Sequence, residues 1–479
     1  MSRGKSILVI THSNNDLDHF IPLLIEFKKD KTKDIVALAF YNKNELLKNR
    51  LHNYICKENH IQLESFTNMF SLKPLSNFMV RLYNYSSTKV KKIRYTGNTF
   101  KKIKKRLKDF FSSSCDSIVR MMYYLSKKYI VLYSIFLTKH KDIERYFSSN
   151  NFGLVIIDLR TEELEDLNLK PLQKLKKIMK REMKTIDDIM FRFLAVAREQ
   201  KIPILEIPHG PNYLTEEPIE LAFKDYKSPF RPDFTIHCNV GGQTRDNIIA
   251  IKKAFLLGDP RYDPDWVNYF EACAIKLYEG EIEKPRSKKI LLYVASYLQR
   301  NTYQIDADYH QEIHKDILSL VNYFPEIEIW MKYHPRLVFK VPIEEYVSSD
   351  RQQNIKFFGN EVDTSVLMAM ADIVVSPMSS TLTIPILQKK PLIYYHKWKE
   401  KTGGITVTTV YDLCPFVLKA ANHNELKHQL ETVLHKKVYK ITDADVAFFY
   451  KKMFSVGSPS ENMTEKYMKT INNILLNKL

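Results

Sequence analysis

The sequence predicts an α/β protein of two Rossmann-like domains facing a cleft, with a helical basic insertion in the N-terminal domain. Three observations predict it. Apolar runs of strand length alternate with helix-period segments in both halves of the 479-residue chain. A charged stretch without apolar periodicity, Glu279–Lys289, separates the halves. The chain is too long for one ordinary core, and 44% hydrophobic content suffices for two.

The elements follow in order. Ser6–Ile10 reads as a buried parallel strand, Phe20–Lys28 as a helix and Asp34–Phe40 as a second strand. From about residue 75 to 147 a helical, aromatic and basic segment interrupts the rhythm. Leu154–Asp158 resumes it, followed by a helix over Lys184–Gln200 and the strands Ile202–Ile207, Asp233–His237 and Ala254–Leu257. After the linker at 279–289 come the strand Ile290–Ala295, a helix near His310–Tyr323 and the strands Ile327–Tyr333 and Ile355–Phe358. A helix near Val366–Ala371, the strand Ile373–Ser376, a helix opening near Ser380 and the strand Pro391–Tyr395 complete the second unit. The expected organisation is therefore an acceptor domain over 1–278, a nucleotide-donor domain over 290–440, and C-terminal helices over 441–479 packing back across both.

Composition narrows the function. The formal net charge of +18 suits nucleic acid, an anionic membrane surface or phosphorylated substrates. Between Lys89 and Lys108 there are ten basic residues and no acidic one, interleaved with Ile93, Phe100, Ile103 and Leu107. A basic helix with an apolar stripe over 89–111 favours an anionic membrane surface, and no nucleic-acid signature accompanies it. The five cysteines are irregularly spaced, without a CxxC pair or a zinc-type histidine cluster, so no metal and no cofactor are expected. The N-terminus does not read as a signal peptide, and the longest apolar run, Tyr129–Leu137, is far short of a membrane span. The expectation is a cytoplasmic protein, peripheral on the inner face of the membrane at most.

In open α/β sheets, ligands sit beyond the carboxyl ends of the strands. After the strand IEIWM comes Lys332-Tyr333-His334-Pro335-Arg336, where a histidine beside cations suits a phosphate as donor or general acid. After IVVS come Ser379, Ser380 and Thr381, more hydroxyls than a helix cap needs, suited to holding phosphate at a helix start. Asp158 closes the strand LVIID; it is a base, a nucleophile, or an ion-pair partner of Arg160. His209-Gly210 closes IPILEIP, with Gly210 allowing the sharp turn that aims His209 at the cleft. Asn14, Arg160 and Glu162 are candidate contacts to acceptor or donor sugar, and Glu206 reads as half-buried within its strand.

The ordered set IPHG, GDPRYD, KYHPR and ADIVVSPMSST resembles a bacterial superfamily of GT-B transferases. Its members are capsule and lipopolysaccharide Kdo transferases, sialyl- and other nonulosonate transferases, and CDP-glycerol glycerophosphotransferases. The resemblance covers roughly residues 154–395. It implies that His334, Pro335, Ser379 and Ser380 hold a cytidine nucleotide's phosphates. Pro377-Met378 stands where the glycerophosphotransferases show Asp-Tyr, and Pro208 where they show Trp. Both departures favour a CMP-sugar donor of the Kdo or sialic acid class and a surface polysaccharide or glycolipid acceptor. A CDP-glycerol or ribitol transferase and a UDP-sugar glycosyltransferase or epimerase are the alternatives. The Asp/Glu-Asp-Gly element of several sialyltransferases is absent; Asp158 is then the base of an inverting reaction or the nucleophile of a retaining one, and His209 helps bind the acceptor or the donor carboxylate.

Overall fold

The computed structural model describes residues 6–11, 14–30, 34–39, 49–65, 140–158, 186–207, 232–238, 253–285, 287–295, 307–334, 343–359, 361–377, 379–397, 399, 408–435, 439–454 and 459–477. The chain begins with β1 (Ser6–Thr11), α1 (Asn14–Lys29), β2 (Ile35–Ala39), α2 (Arg50–Glu58) and β3 (Leu63–Ser65). It continues with α3 (His140–Asn150), β4 (Phe152–Ile157), α4 (Ile186–Glu199), β5 (Ile204–Glu206), β6 (Phe234–His237), β7 (Lys253–Leu256) and α5 (Pro264–Leu277). The strands form a seven-stranded sheet in the order β3-β2-β1-β4-β5-β6-β7. Every pairing among them is parallel.

Strand β1 shows why its sequence is continuously apolar. All six residues are buried, because helices cover both faces of a parallel sheet. Ile7 and Val9 join one hydrophobic cluster, and Leu8 and Ile10 join another. The two-residue period of a strand thus divides one run between two cores. The second core is completed by Ile143 and Phe147 of α3 and by Phe193 and Ala197 of α4. The end of the expected insertion is therefore the crossover helix that feeds β4. The basic stretch 89–111 lies outside the described residues.

The second sheet follows from β8 (Lys289–Val294), α6 (Ala307–Tyr323), β9 (Ile327–Lys332), β10 (Ile355–Phe358), α7 (Thr364–Met370) and β11 (Ile373–Ser376). Next come α8 (Thr383–Leu387), β12 (Leu392–Tyr395), α9 (Val410–Leu413), β13 (Leu418–Ala420) and α10 (His423–His435). Its six strands are also parallel, in the order β10-β9-β8-β11-β12-β13. Two doubly wound sheets in one chain are the architecture the sequence predicts.

Two features join the sheets. Around the interdomain stretch, Tyr278 Oη donates to Glu361 O at 3.0 Å and accepts from Asp363 N–H at 3.2 Å. Asn49 Nδ2 donates to Asp363 Oδ2 at 2.8 Å, and Gln388 Nε2 donates to Glu271 Oε2 at 2.6 Å. The chain then ends in α11 (Asp443–Met453) and α12 (Met463–Leu475), and α12 lies against the first unit. Asp263 accepts from the N–H groups of Met463 and Thr464, both at 2.8 Å, which satisfies two orphan donors at the start of α12. Tyr467 Oη donates to Gly258 O at 2.7 Å, and Tyr450 Oη donates to Tyr262 O. Residues of the GDPRYD motif thus seat the C-terminal helices. Among the described residues no helix is long and apolar enough to cross a membrane.

Candidate active site

Each sheet reverses its winding beside its first strand. In the second, β9 and β11 flank β8 on opposite sides, so the loops after β8 and β11 diverge and leave a crevice. Strand spacing of about 4.8 Å puts the ends of β9 and β11 roughly 10 Å apart across β8. His334 follows β9 and Ser379 follows β11, at the carboxyl ends of the two strands beside β8. Ser376 Oγ donates to Val294 O at 2.7 Å and locks the end of β11 to β8. The chain then turns through buried Pro377 to Ser379. Ser379 Oγ and Thr381 Oγ1 are 2.7 Å apart, and Thr381 N–H donates to Ser379 Oγ at 3.3 Å. Tyr411, fully buried, donates its hydroxyl to Ser379 O at 2.8 Å and fixes the turn from below.

The helix expected at Ser380 is shorter than the motif suggested. Ser380–Leu382 form one 3-10 turn and only Thr383–Leu387 are α-helical. Lys389 in a left-handed conformation (φ 54°) just past its C-cap brings it to an end. So short a helix adds little dipole, and an anion here would rely on N–H groups and hydroxyls.

At the end of β9 the residues of the KYHPR motif divide. Lys332 is 7% exposed, and its ammonium donates to Gly359 O and to Val362 O, the latter at 2.7 Å. Burial pushes its pKa down. Expected as a phosphate ligand, Lys332 instead holds the loop that leads to Asp363, and at most one of its N–H groups remains for a ligand. Asp363 caps α7 through Ser365 N–H at 2.9 Å while receiving Asn49 from the other unit. Tyr333 stacks on Phe357 with centroids 5.7 Å apart and meets His314 edge-on at 5.3 Å. His334 is half-buried at the strand's mouth, and Pro335 lies outside the described residues.

In the first sheet, β1 and β4 are the corresponding neighbours. Asp158 immediately follows β4 and is 2% exposed. Glu206 is fully buried rather than half-buried, and accepts from Thr235 Oγ1 at 3.4 Å. His209, Gly210, Arg160 and Glu162 lie outside the described residues, as do the side chains of Asn14 and Ser380.

What sequence reasoning missed is a buried polar cluster beside Asp158. Asp18 of α1 accepts from Arg261 Nη1 at 2.9 Å and lies 3.0 Å from His52 Nε2. Burial works to raise the Asp18 carboxyl, but the His52 hydrogen bond and the Arg261 charge hold it well below the usual range. Arg261 also clamps Asp259, with Nη2 to Oδ2 at 2.8 Å, and Asp259 Oδ1 lies 3.4 Å from His19 Nδ1. Cys238, just past β6, completes the group; burial and then the Asp259 charge push its thiol up. The sequence signals were the GDPRYD motif, which holds Asp259 and Arg261, and the polar Asp18 and His19 just ahead of an apolar helical stretch. A groove of about 780 Å³ between α1, α5 and α12 is lined by none of the residues nominated from sequence.

No family model matches the chain, and no curated protein matches it in sequence. Solved structures do. A UDP-N-acetylglucosamine 2-epimerase superposes with a TM-score of 0.53 at 12% identity, over 99% of this chain and 96% of that one. The fold is GT-B-like. The Neisseria meningitidis UDP-GlcNAc 2-epimerase bound to UDP-GlcNAc gives 0.52 at 11% identity, over 98% and 100% of the two chains. The S. aureus MnaA-UDP structure gives 0.50 at 10%, over 99% and 98%. With this fold, two facing units and a crevice at each switch point account for where Asp158, His334 and Ser379 lie.

Proposed function

We propose that the chain is a nucleotide-sugar enzyme of bacterial surface-glycan chemistry. Its donor's phosphates sit at the switch point of the second sheet, and a UDP-sugar is the first donor class. The observation that carries this reading is positional. His334 and the hydroxyls of Ser379 and Thr381 follow the two strands that flank β8, near where such sheets bind ligands. The N–H groups and hydroxyls of the 379–381 turn stabilise the phosphate charge that grows as the sugar–oxygen bond breaks. His334 donates a proton or hydrogen bond to the leaving phosphate oxygen. Asp158, at the switch point of the first sheet, accepts the proton released on the sugar or acceptor side.

The UDP-sugar alternative stands ahead of the CMP-nonulosonate reading because the superposed enzymes are UDP-sugar epimerases. The CMP-sugar reading remains second, on the KYHPR and SPMSST motifs. A surface polysaccharide or glycolipid acceptor, and membrane contact through 89–111, belong to the transferase form of the proposal.

The test is turnover of UDP-GlcNAc alone, then of UDP- and CMP-sugars with an acceptor. His334→Ala and Asp158→Asn are expected to lower kcat by about 10²–10⁴-fold with melting temperatures close to wild type. Full activity in both variants would overturn the site. Product from UDP-GlcNAc alone identifies an isomerase; turnover that needs an acceptor identifies a transferase.

A further inference from the structure

We propose that His19, Cys238 and Asp259 form a binding site for a zinc-class divalent cation, placed to pin the C-terminal edge of the first sheet. The three residues come from α1, from the end of β6 and from the loop after β7. One ligand atom from each lies within 4.8 Å of the other two. Exposure is 0% for His19, 4% for Cys238 and 0% for Asp259.

Imidazole, thiolate and carboxylate together are a zinc donor set, with bonds of about 2.0–2.3 Å. On a tetrahedral ion such bonds separate neighbouring ligand atoms by roughly 3.4–3.6 Å. His19 Nδ1 and Asp259 Oδ1 already stand 3.4 Å apart. That spacing is long for a charge-assisted hydrogen bond, which runs about 2.7–2.9 Å, but fits two ligands on one ion. Cys238 Sγ lies within 4.8 Å of both.

The surroundings supply what a metal-bound carboxylate and thiolate need. Arg261 clamps Asp259 Oδ2 through Nη2 at 2.8 Å and Nε at 3.2 Å, an outer partner that orients the carboxylate and leaves Oδ1 toward His19. Arg261 Nε also reaches Oδ1 at 3.3 Å and its N–H does so at 3.0 Å. Asp18 faces both Arg261 and His52, and Asp259 faces Arg261. A bound divalent ion displaces the Cys238 proton, and the thiolate and the Asp259 carboxylate balance its charge. Because the cluster is buried beneath α12, whose Tyr467 donates to Gly258 O next to Asp259, the ion holds structure rather than substrate.

The experiment strips the full-length chain with a chelator and titrates Zn²⁺ by calorimetry, with no nucleotide present. Co²⁺ is then substituted and read by absorption. The expected result is saturable binding of one zinc per chain and a sulfur-to-cobalt charge-transfer band in the near ultraviolet. Cys238→Ala and His19→Ala are each expected to weaken binding by at least about 100-fold, while Cys273→Ala, outside the cluster, binds as wild type. Absence of saturable binding overturns the site. So does a cobalt spectrum of the wild type lacking the thiolate band, a readout that needs no variant to fold. Since no donor is used, the outcome is independent of the catalytic proposal.

Discussion

Beneath the half-buried His334, the KYHPR segment is anchored by two side chains whose surroundings set their behaviour. Lys332 brings its ammonium to Gly359 O and Val362 O, and removing it leaves two carbonyls in a largely buried place without their donor. Lys332→Met is expected to destabilise by about 1–3 kcal/mol, seen as a lower melting temperature before any effect on donor binding. His314 lies fully buried against Tyr293 and Tyr333, and burial, reinforced by His310, brings its pKa down to about 4. A histidine depressed in the folded state binds its proton more readily unfolded. Its contribution to stability is therefore intact above the ordinary value of about 6.5 and falls away as pH drops toward 4. The full effect is at most about 3 kcal/mol. In His314→Gln the fall in melting temperature between pH 6.5 and 4 is expected to be shallower than in wild type. Equal slopes would remove His314 as the cause.

At the scale of elements, α12 and the GDPRYD segment hold each other in place. Gly258 has φ +81°, and a Cβ there would stand 2.1 Å from Met463 Sδ. Gly258→Ala therefore meets both a left-handed backbone and the start of α12, and is expected to cost about 1–3 kcal/mol. Limited proteolysis should then release the C-terminal helices earlier than in wild type. Strand elements were legible because parallel strands buried on both faces read as unbroken apolar runs, as in SILVIT and IEIWMK. The helix after β11 was overestimated, because Ser380 and Thr381 look like a cap and only the fold reveals a 3-10 turn there. The GDPRYD motif was visible, but its partners, Met463 and Thr464, lie about 200 residues away. Local sequence carries no trace of such a pairing.

For the whole molecule, order and winding were readable from the alternation of elements, and the fold follows it. The chemistry was readable only in part. Residues placed just past strands, such as Asp158, Ser379 and His334, could be nominated because topology dictates where strand ends meet. Asp18 and His52 could not, since they converge on Arg261 of the GDPRYD motif from separate segments. Donor binding at the switch point of the second sheet is read from the melting temperature with UDP-sugars, CMP-sugars and CDP-glycerol, in wild type and in His334→Ala. A UDP-sugar at 100 times its dissociation constant is expected to add about 2.7 kcal/mol of stability to the wild type and clearly less to the variant. A wild type whose melting temperature no donor moves, or a shift left intact in His334→Ala, contradicts the account.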